Sequence, residues 1–216
     1  MPGAQPVTSL TERRKAETQL EISRRAAELF SARGASAVTA EEIAAAAGIG
    51  LRTFYRYFRT KEEAVAPMLA GGVTEWIAYL TEVPVSAPGT SVRDAIEHAT
   101  RRALTPTDGV AGEKLGRTRG LLRTVRDEPG LLAVWLRVQH DSEEGLVDAL
   151  ASLMGPDADP MIVRLTAASV NAAMRIAVET WAATDAPTTG PGGPAELAER
   201  CMRTLLDHPA LAAGND

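Results

Sequence analysis

Apolar residues recur along this chain at intervals of three and four, and no run of strand-type alternation interrupts them, so helices are predicted throughout. Ile22, Ala26, Leu29 and Phe30 form one stripe of a first helix over about 11–33, and Gly34 can supply a left-handed cap at its end. Thr39 and Glu42 have capping-box spacing and open a second helix that stops at Gly48. A third follows a very short turn, from about Leu51 to Tyr57. Thr60 and Glu63 repeat the capping box ahead of a fourth. Proline- and glycine-rich breaks at 84–89, 105–112, 127–130, 155–160 and 184–194 then leave helices near 61–82, 91–104, 113–127, 130–153, 161–183 and 195–207. The expected fold class is all-α, about nine helices in two parts. Residues 1–60 form a three-helix head with a helix-turn-helix, and residues 61–216 a helical bundle.

The segment from Thr39 to Lys61, TAEEIAAAAGIGLRTFYRYFRTK, carries the chemistry. Two short helices separated by about three residues around Gly48–Gly50 meet the requirement of a helix-turn-helix. Ile43, Ala47, Ile49, Phe54 and Phe58 can all turn onto the Ile22/Ala26/Phe30 stripe. Phe54 and Phe58 are four apart and share a face, which leaves Arg52, Thr53, Tyr55, Arg56 and Tyr57 on the others. That outer set suits a duplex groove. Arginine donates to guanine O6 and N7, a threonine methyl meets a thymine methyl, and tyrosine hydroxyls reach phosphate oxygens. Lys61 adds a positive charge at the next helix start, and Thr39, with the amides of its helix N-terminus, offers a further phosphate contact.

Charge agrees with this placement once it is divided along the chain. The formal net charge is −5, but residues 1–66 hold ten Lys/Arg against eight acids, which is +2 and leaves −7 for the rest. Any polyanion contact therefore belongs to the N-terminal end.

The same residues resemble a known family. GASAVTAEEIAAAAGIGLRTFYRYFRTKEEAV is similar to the DNA-binding region of TetR-family regulators, over about residues 15–66. Gly50 departs from the pattern, since the family more often has Ser or Thr as the cap of the recognition helix. Glycine still caps acceptably, but one phosphate-contacting hydroxyl is missing. The resemblance implies operator contacts at Thr39, Arg52, Thr53, Tyr55, Arg56, Tyr57 and Lys61. It also implies a homodimeric repressor released from a palindromic operator by a small, largely apolar effector. A regulator without an effector, or an activator, is the alternative. The variant RTFYRYF resembles an actinobacterial subgroup associated with mycofactocin and acyl-CoA regulation.

The C-terminal part adds expectations of its own. The segment 161–183 is apolar on every face (Met161, Ile162, Val163, Leu165, Val170, Met174, Ile176, Val178, Trp181) and is expected to be almost entirely buried. With 195–207, where Leu197, Cys201 and Leu205 recur every four residues, it predicts a twofold four-helix dimer interface. An effector pocket is expected from Trp76, Tyr79, Leu80, Leu122, Val125, Trp135, Val138, Leu165, Asn171 and Arg175. For Asn171, an interhelical hydrogen bond is the stronger reading than ligand contact, and Arg175 and Glu179 can pair with each other. Pro67 and Gly71–Gly72 fall inside the joining helix, where the proline predicts a kink.

Other functions lack their signatures. No nucleophile elbow, phosphate loop or dinucleotide fingerprint is present, so no enzyme and no cofactor is expected. His98, His140 and His208 are scattered, so no metal site is expected. Cys201 stands alone and has no internal partner. Without a signal peptide or an uninterrupted apolar run of roughly 18–20 residues, the expected setting is the cytoplasm rather than a membrane.

Overall fold

The computed structural model describes residues 9–82 and 91–206, so the expected break at 84–89 and His208 lie outside the described residues. Among them all regular structure is helical. Helix α1 (Leu10–Arg33) starts on a complete capping box, in which the Ser9 hydroxyl accepts the Glu12 N–H and the Glu12 carboxylate accepts the Ser9 N–H. It ends at Gly34, whose φ of 78° few other residues adopt. Helices α2 (Ala40–Ala46) and α3 (Leu51–Tyr57) follow, joined through Gly48 at φ 67°. A 3₁₀ turn, Glu62–Val65, leads into α4 (Ala66–Thr81). The rest is α5 (Val92–Leu104), α6 (Gly109–Val125), α7 (Pro129–Met154), α8 (Pro160–Ala182) and α9 (Pro194–Leu206).

Helix boundaries differ from expectation where proline and glycine act otherwise than as breakers. Helices α7, α8 and α9 each begin on a proline, because the first helical N–H needs no partner and the ring already holds a helical φ. Helix α6 starts four residues early, at Gly109, because the Asp108 side chain caps it by accepting the Ala111 N–H at 2.8 Å. Its Gly120 is where α6 and α1 approach closely. A Cβ there would sit 3.0 Å from the Ser31 hydroxyl.

The kink expected at Pro67 is absent. Pro67 occupies the first turn of α4, where its missing N–H breaks no hydrogen bond, and the change of direction falls to the 3₁₀ turn before it. Across from it, the buried Ser23 hydroxyl of α1 accepts the Met68 N–H at 3.0 Å. The second capping box is also incomplete. The Thr60 hydroxyl accepts the Glu63 N–H, but the Glu63 carboxylate accepts the Arg59 N–H instead of returning to Thr60.

Two buried cores result. One gathers Ile22, Ala26, Phe30, Ile43, Phe54 and Phe58 with Leu121, Leu131 and Trp135, so α6 and the first half of α7 complete the head from below. The other joins Trp76, Leu80, Ile96, Leu146, Leu150, Trp181 and Met202. Helices α4 and α7 contribute to both.

Helix α8 is less buried than its composition predicts. It packs on α7, α9 and α6, but Met161, Leu165 and Ile176 stand exposed at i, i+4 and i+15, one continuous stripe. By length and composition α8 could cross a membrane, but here it packs against three neighbouring helices and leaves one side uncovered.

Candidate nucleic-acid interface and bundle cavity

The head presents α3 by local chemistry. Gly50 has no side chain to cap the helix, yet its extended backbone turns the carbonyl to accept the Thr53 and Phe54 N–H groups at 2.8 and 3.1 Å. Phe54 and Phe58 are buried with ring centroids 5.5 Å apart. Their inward placement forces the opposite side outward. Arg52, Tyr55 and Arg56 are exposed, Tyr55 at 53%, and Tyr55 is held edge-on against Phe54. Thr53 and Tyr57 are half-buried, and the Arg56 guanidinium lies 5.2 Å from the centre of the Tyr57 ring. No carboxylate holds Arg52 or Arg56 among the described residues.

Two residues named from the sequence sit differently. The Lys61 ammonium donates to the carbonyls of Ala35 and Val38, both at 2.8 Å, which ties the α1–α2 loop to the 3₁₀ turn. It is a bracket within the head first, with one donor left over. Thr39 completes its capping box, its N–H engaged by the Glu42 carboxylate at 2.8 Å and its hydroxyl accepting the Glu42 N–H. Glu42 also pairs with Arg33, whose guanidinium, more than the Thr39 amide, holds that carboxyl below its ordinary pKa. The first turn of α2 thus carries a fixed negative charge beside its amides.

Besides the shared core and the Met68–Ser23 hydrogen bond, two further links tie the bundle to the head. Glu128, which precedes α7, accepts from the Ser36 hydroxyl at 2.7 Å and the Ser36 N–H at 3.1 Å, and its pKa is lowered chiefly by that hydroxyl. Arg137 of α7 pairs with Glu63 of the 3₁₀ turn at 3.1 Å.

Within the bundle, α4, the α5–α6 junction, α6, α7 and α8 enclose a cavity of about 320 Å³. Trp76, Tyr79, Trp135 and Arg175 line it as expected. The other six expected residues do not. Leu80 is packed in the second core, and Leu122, Val125 and Val138 are packed in the first. Leu165 is 60% exposed on the outer face of α8. Asn171 instead bridges α8 to α7, its Nδ2 donating to the Gln139 carbonyl at 2.9 Å.

Sequence reasoning missed Trp181, Met174, Gln139, Arg102 and Lys114, which do line the cavity. Gln139 alone had a signal, since it stands one helical turn after Trp135 on the same face of α7. The Trp135 indole donates to the Glu179 carboxylate at 2.6 Å, and Glu179 also takes one terminal nitrogen of Arg175 at 3.2 Å. No group of metal-ligating side chains occurs among the described residues.

Residues 22–66 match the family described as bacterial regulatory proteins, tetR family. Over 153 residues the chain is 35% identical to the HTH-type transcriptional regulator TcmR of Streptomyces glaucescens, an alignment spanning 69% of this chain and 66% of that protein. The fold is similar to that of the TetR-family repressor AlkX from Dietzia sp., implicated in biodegradation of n-alkanes, with TM-score 0.55 and 20% identity over 87% of this chain and 95% of the other. It is also similar to a TetR-family transcriptional regulator from Streptomyces coelicolor, with TM-score 0.56 and 19% identity over 93% of this chain and 83% of the other.

Proposed function

The chain belongs to the TetR family of DNA-binding transcriptional regulators, and on that premise we propose that it is a cytoplasmic, ligand-responsive repressor acting as a homodimer on a palindromic operator. The observation that carries this reading is the outer face of α3, where Arg52 and Arg56 stand exposed beside Tyr55 with no carboxylate partner among the described residues. Residues 1–60 hold the DNA contacts. Arg52, Thr53 and Arg56 address base edges, while Tyr55, Tyr57 and Thr39 address phosphates, and Lys61 acts as the bracket that holds the head together. Residues 61–216 hold the effector and the dimer interface.

The uncovered stripe of Met161, Leu165 and Ile176 on α8, with the exposed Leu205 on α9, supports dimerisation, because such a stripe gains by burial against its own copy. Two heads about 34 Å apart then read successive major grooves. Helix α7 connects the cavity to the head, through Trp135 and Glu179 at one level and Arg137 and Glu128 at another. Effector in the cavity shifts that helix and lowers operator affinity by preferring the conformation that does not fit DNA.

The test is a gel-shift titration of the purified chain on the DNA flanking its own gene. A discrete dimer complex that survives excess random competitor is expected. Complexes that disappear equally with every competitor sequence defeat the proposal.

A further inference from the structure

The cavity has a composition unlike the rest of the molecule. The chain contains only three Trp, three Tyr and three Phe, yet all three tryptophans and Tyr79 line this one space. Each indole N–H is already engaged: Trp76 by the Thr100 hydroxyl, Trp135 by Glu179 and Trp181 by the Pro187 carbonyl. Trp76 and Trp181 are packed in the second core, with the Arg119 guanidinium 3.8 Å from the centre of the Trp181 ring, so the carbon surface left to an occupant belongs chiefly to Trp135 and Tyr79, which suits another flat ring system.

Two polar groups with donors to spare meet where α7 faces α8. Gln139 is 6% exposed and lines the cavity, and its side-chain amide has no hydrogen-bond partner among the described residues. The atoms of that amide are not sealed from the cavity, so an occupant can pair with them. Beside it in the lining, Arg175 gives one terminal nitrogen to Glu179 at 3.2–3.3 Å, and no protein acceptor takes its remaining donors among the described residues. The other charges of the lining are matched elsewhere: Lys114 by Glu75, and Arg102 by Glu82 and the Tyr79 ring. Each of the three cations of the lining is matched by a carboxylate, and Arg175 is the one that stands beside Gln139.

Resting on the reading of this cavity as the effector site, we propose that its ligand is a flat aromatic acid. The ring system lies against Trp135 and Tyr79, and the carboxylate accepts from Arg175 and the Gln139 amide. A carboxylate satisfies both because it only accepts, and both groups have donors to give.

The experiment measures binding to the full chain by calorimetry in the absence of DNA, with 2-naphthoate, its neutral counterpart 2-naphthalenemethanol, and the flexible acid decanoate as probes. The acid is expected to bind at least tenfold more tightly than the alcohol and than decanoate. Arg175→Gln should bring the acid down to the affinity of the alcohol and leave the alcohol unaffected. Arg175→Lys should keep part of the preference, which separates loss of charge from loss of fold. Equal binding of acid and alcohol, better binding of decanoate, no binding of any probe, or an unchanged acid preference in Arg175→Gln would each overturn the proposal. Gel shifts with the same acid address the underlying reading separately. An acid that binds through Arg175 yet leaves the DNA complex intact upholds the ligand class and defeats ligand control.

Discussion

The arginines of α3 and many of those in the bundle live in different circumstances. In the bundle, Arg101 pairs with Glu199, Arg102 with Glu82, Arg123 with Asp185, Arg137 with Glu63 and Arg175 with Glu179. Within α1, Arg24 and Arg25 are likewise matched by Glu21 and Glu28, and Arg33 reaches Glu42. Arg52 and Arg56 have no such partner among the described residues. Exposed pairs of this kind add little stability. Such pairs cancel part of the positive field, while the two arginines of α3 keep theirs beside each other on one exposed face, so a chain of net charge −5 can still present a local positive face to a polyanion.

That contrast can be broken most severely from beneath. Phe54→Ala removes the fully buried ring on which α3 rests, and a loss of about 3–5 kcal/mol is expected in chemical denaturation, with operator binding lost as well. A loss under about 1 kcal/mol would mean that α3 is held by something other than this core.

Lys61→Ala separates bracket from phosphate contact. Freeing the carbonyls of Ala35 and Val38 from a partly buried ammonium should lower stability by about 1–3 kcal/mol, while the slope of log affinity against log salt stays nearly constant. A slope reduced by about 1 with unchanged stability would instead place Lys61 on the DNA.

Arg52→Ala tests the free face directly. It should weaken operator binding by about 1–3 kcal/mol and relax sequence preference at one position, with no change in melting temperature. Uniform weakening across all sequences would make Arg52 a phosphate contact.

The smallest effect concerns the link between the two regions. The Ser36 hydroxyl holds the Glu128 pKa below its ordinary 4.5 in the folded chain. A depressed folded value means that the link stabilises at pH above 4.5 and is lost as pH falls through the lower folded value. Ser36→Ala should therefore lower thermal stability slightly at neutral pH, flatten its decline on the acid side of pH 4.5, and leave stability below the folded value nearly untouched. An unchanged acid limb would show that Glu128 does not hold the head.

The head was legible because its instructions are short-range. Capping at Thr39, the turn at Gly48 and the pairing of Phe54 with Phe58 each act within about four residues, so the bounds of α3 are readable from those residues alone. The cavity was not. Trp76, Tyr79, Trp135 and Arg175 were identified from their type, but Leu80, Leu122, Val125, Val138 and Leu165 are chemically just as suitable and face elsewhere. Which side of a helix meets a hollow depends on its rotation against neighbours far away in sequence.

By itself, then, the order of residues determined helices, caps and the amphipathic division of α3, since periodicity and hydrogen-bond geometry are local properties of the backbone. Tertiary packing alone decided that Lys61 turns inward to carbonyls more than 20 residues before it. It likewise left the Gln139 amide unpaired beside Arg175, and it kept a stripe of α8 uncovered. Those outcomes depend on which surfaces meet across the fold, and only the assembled structure contains that information.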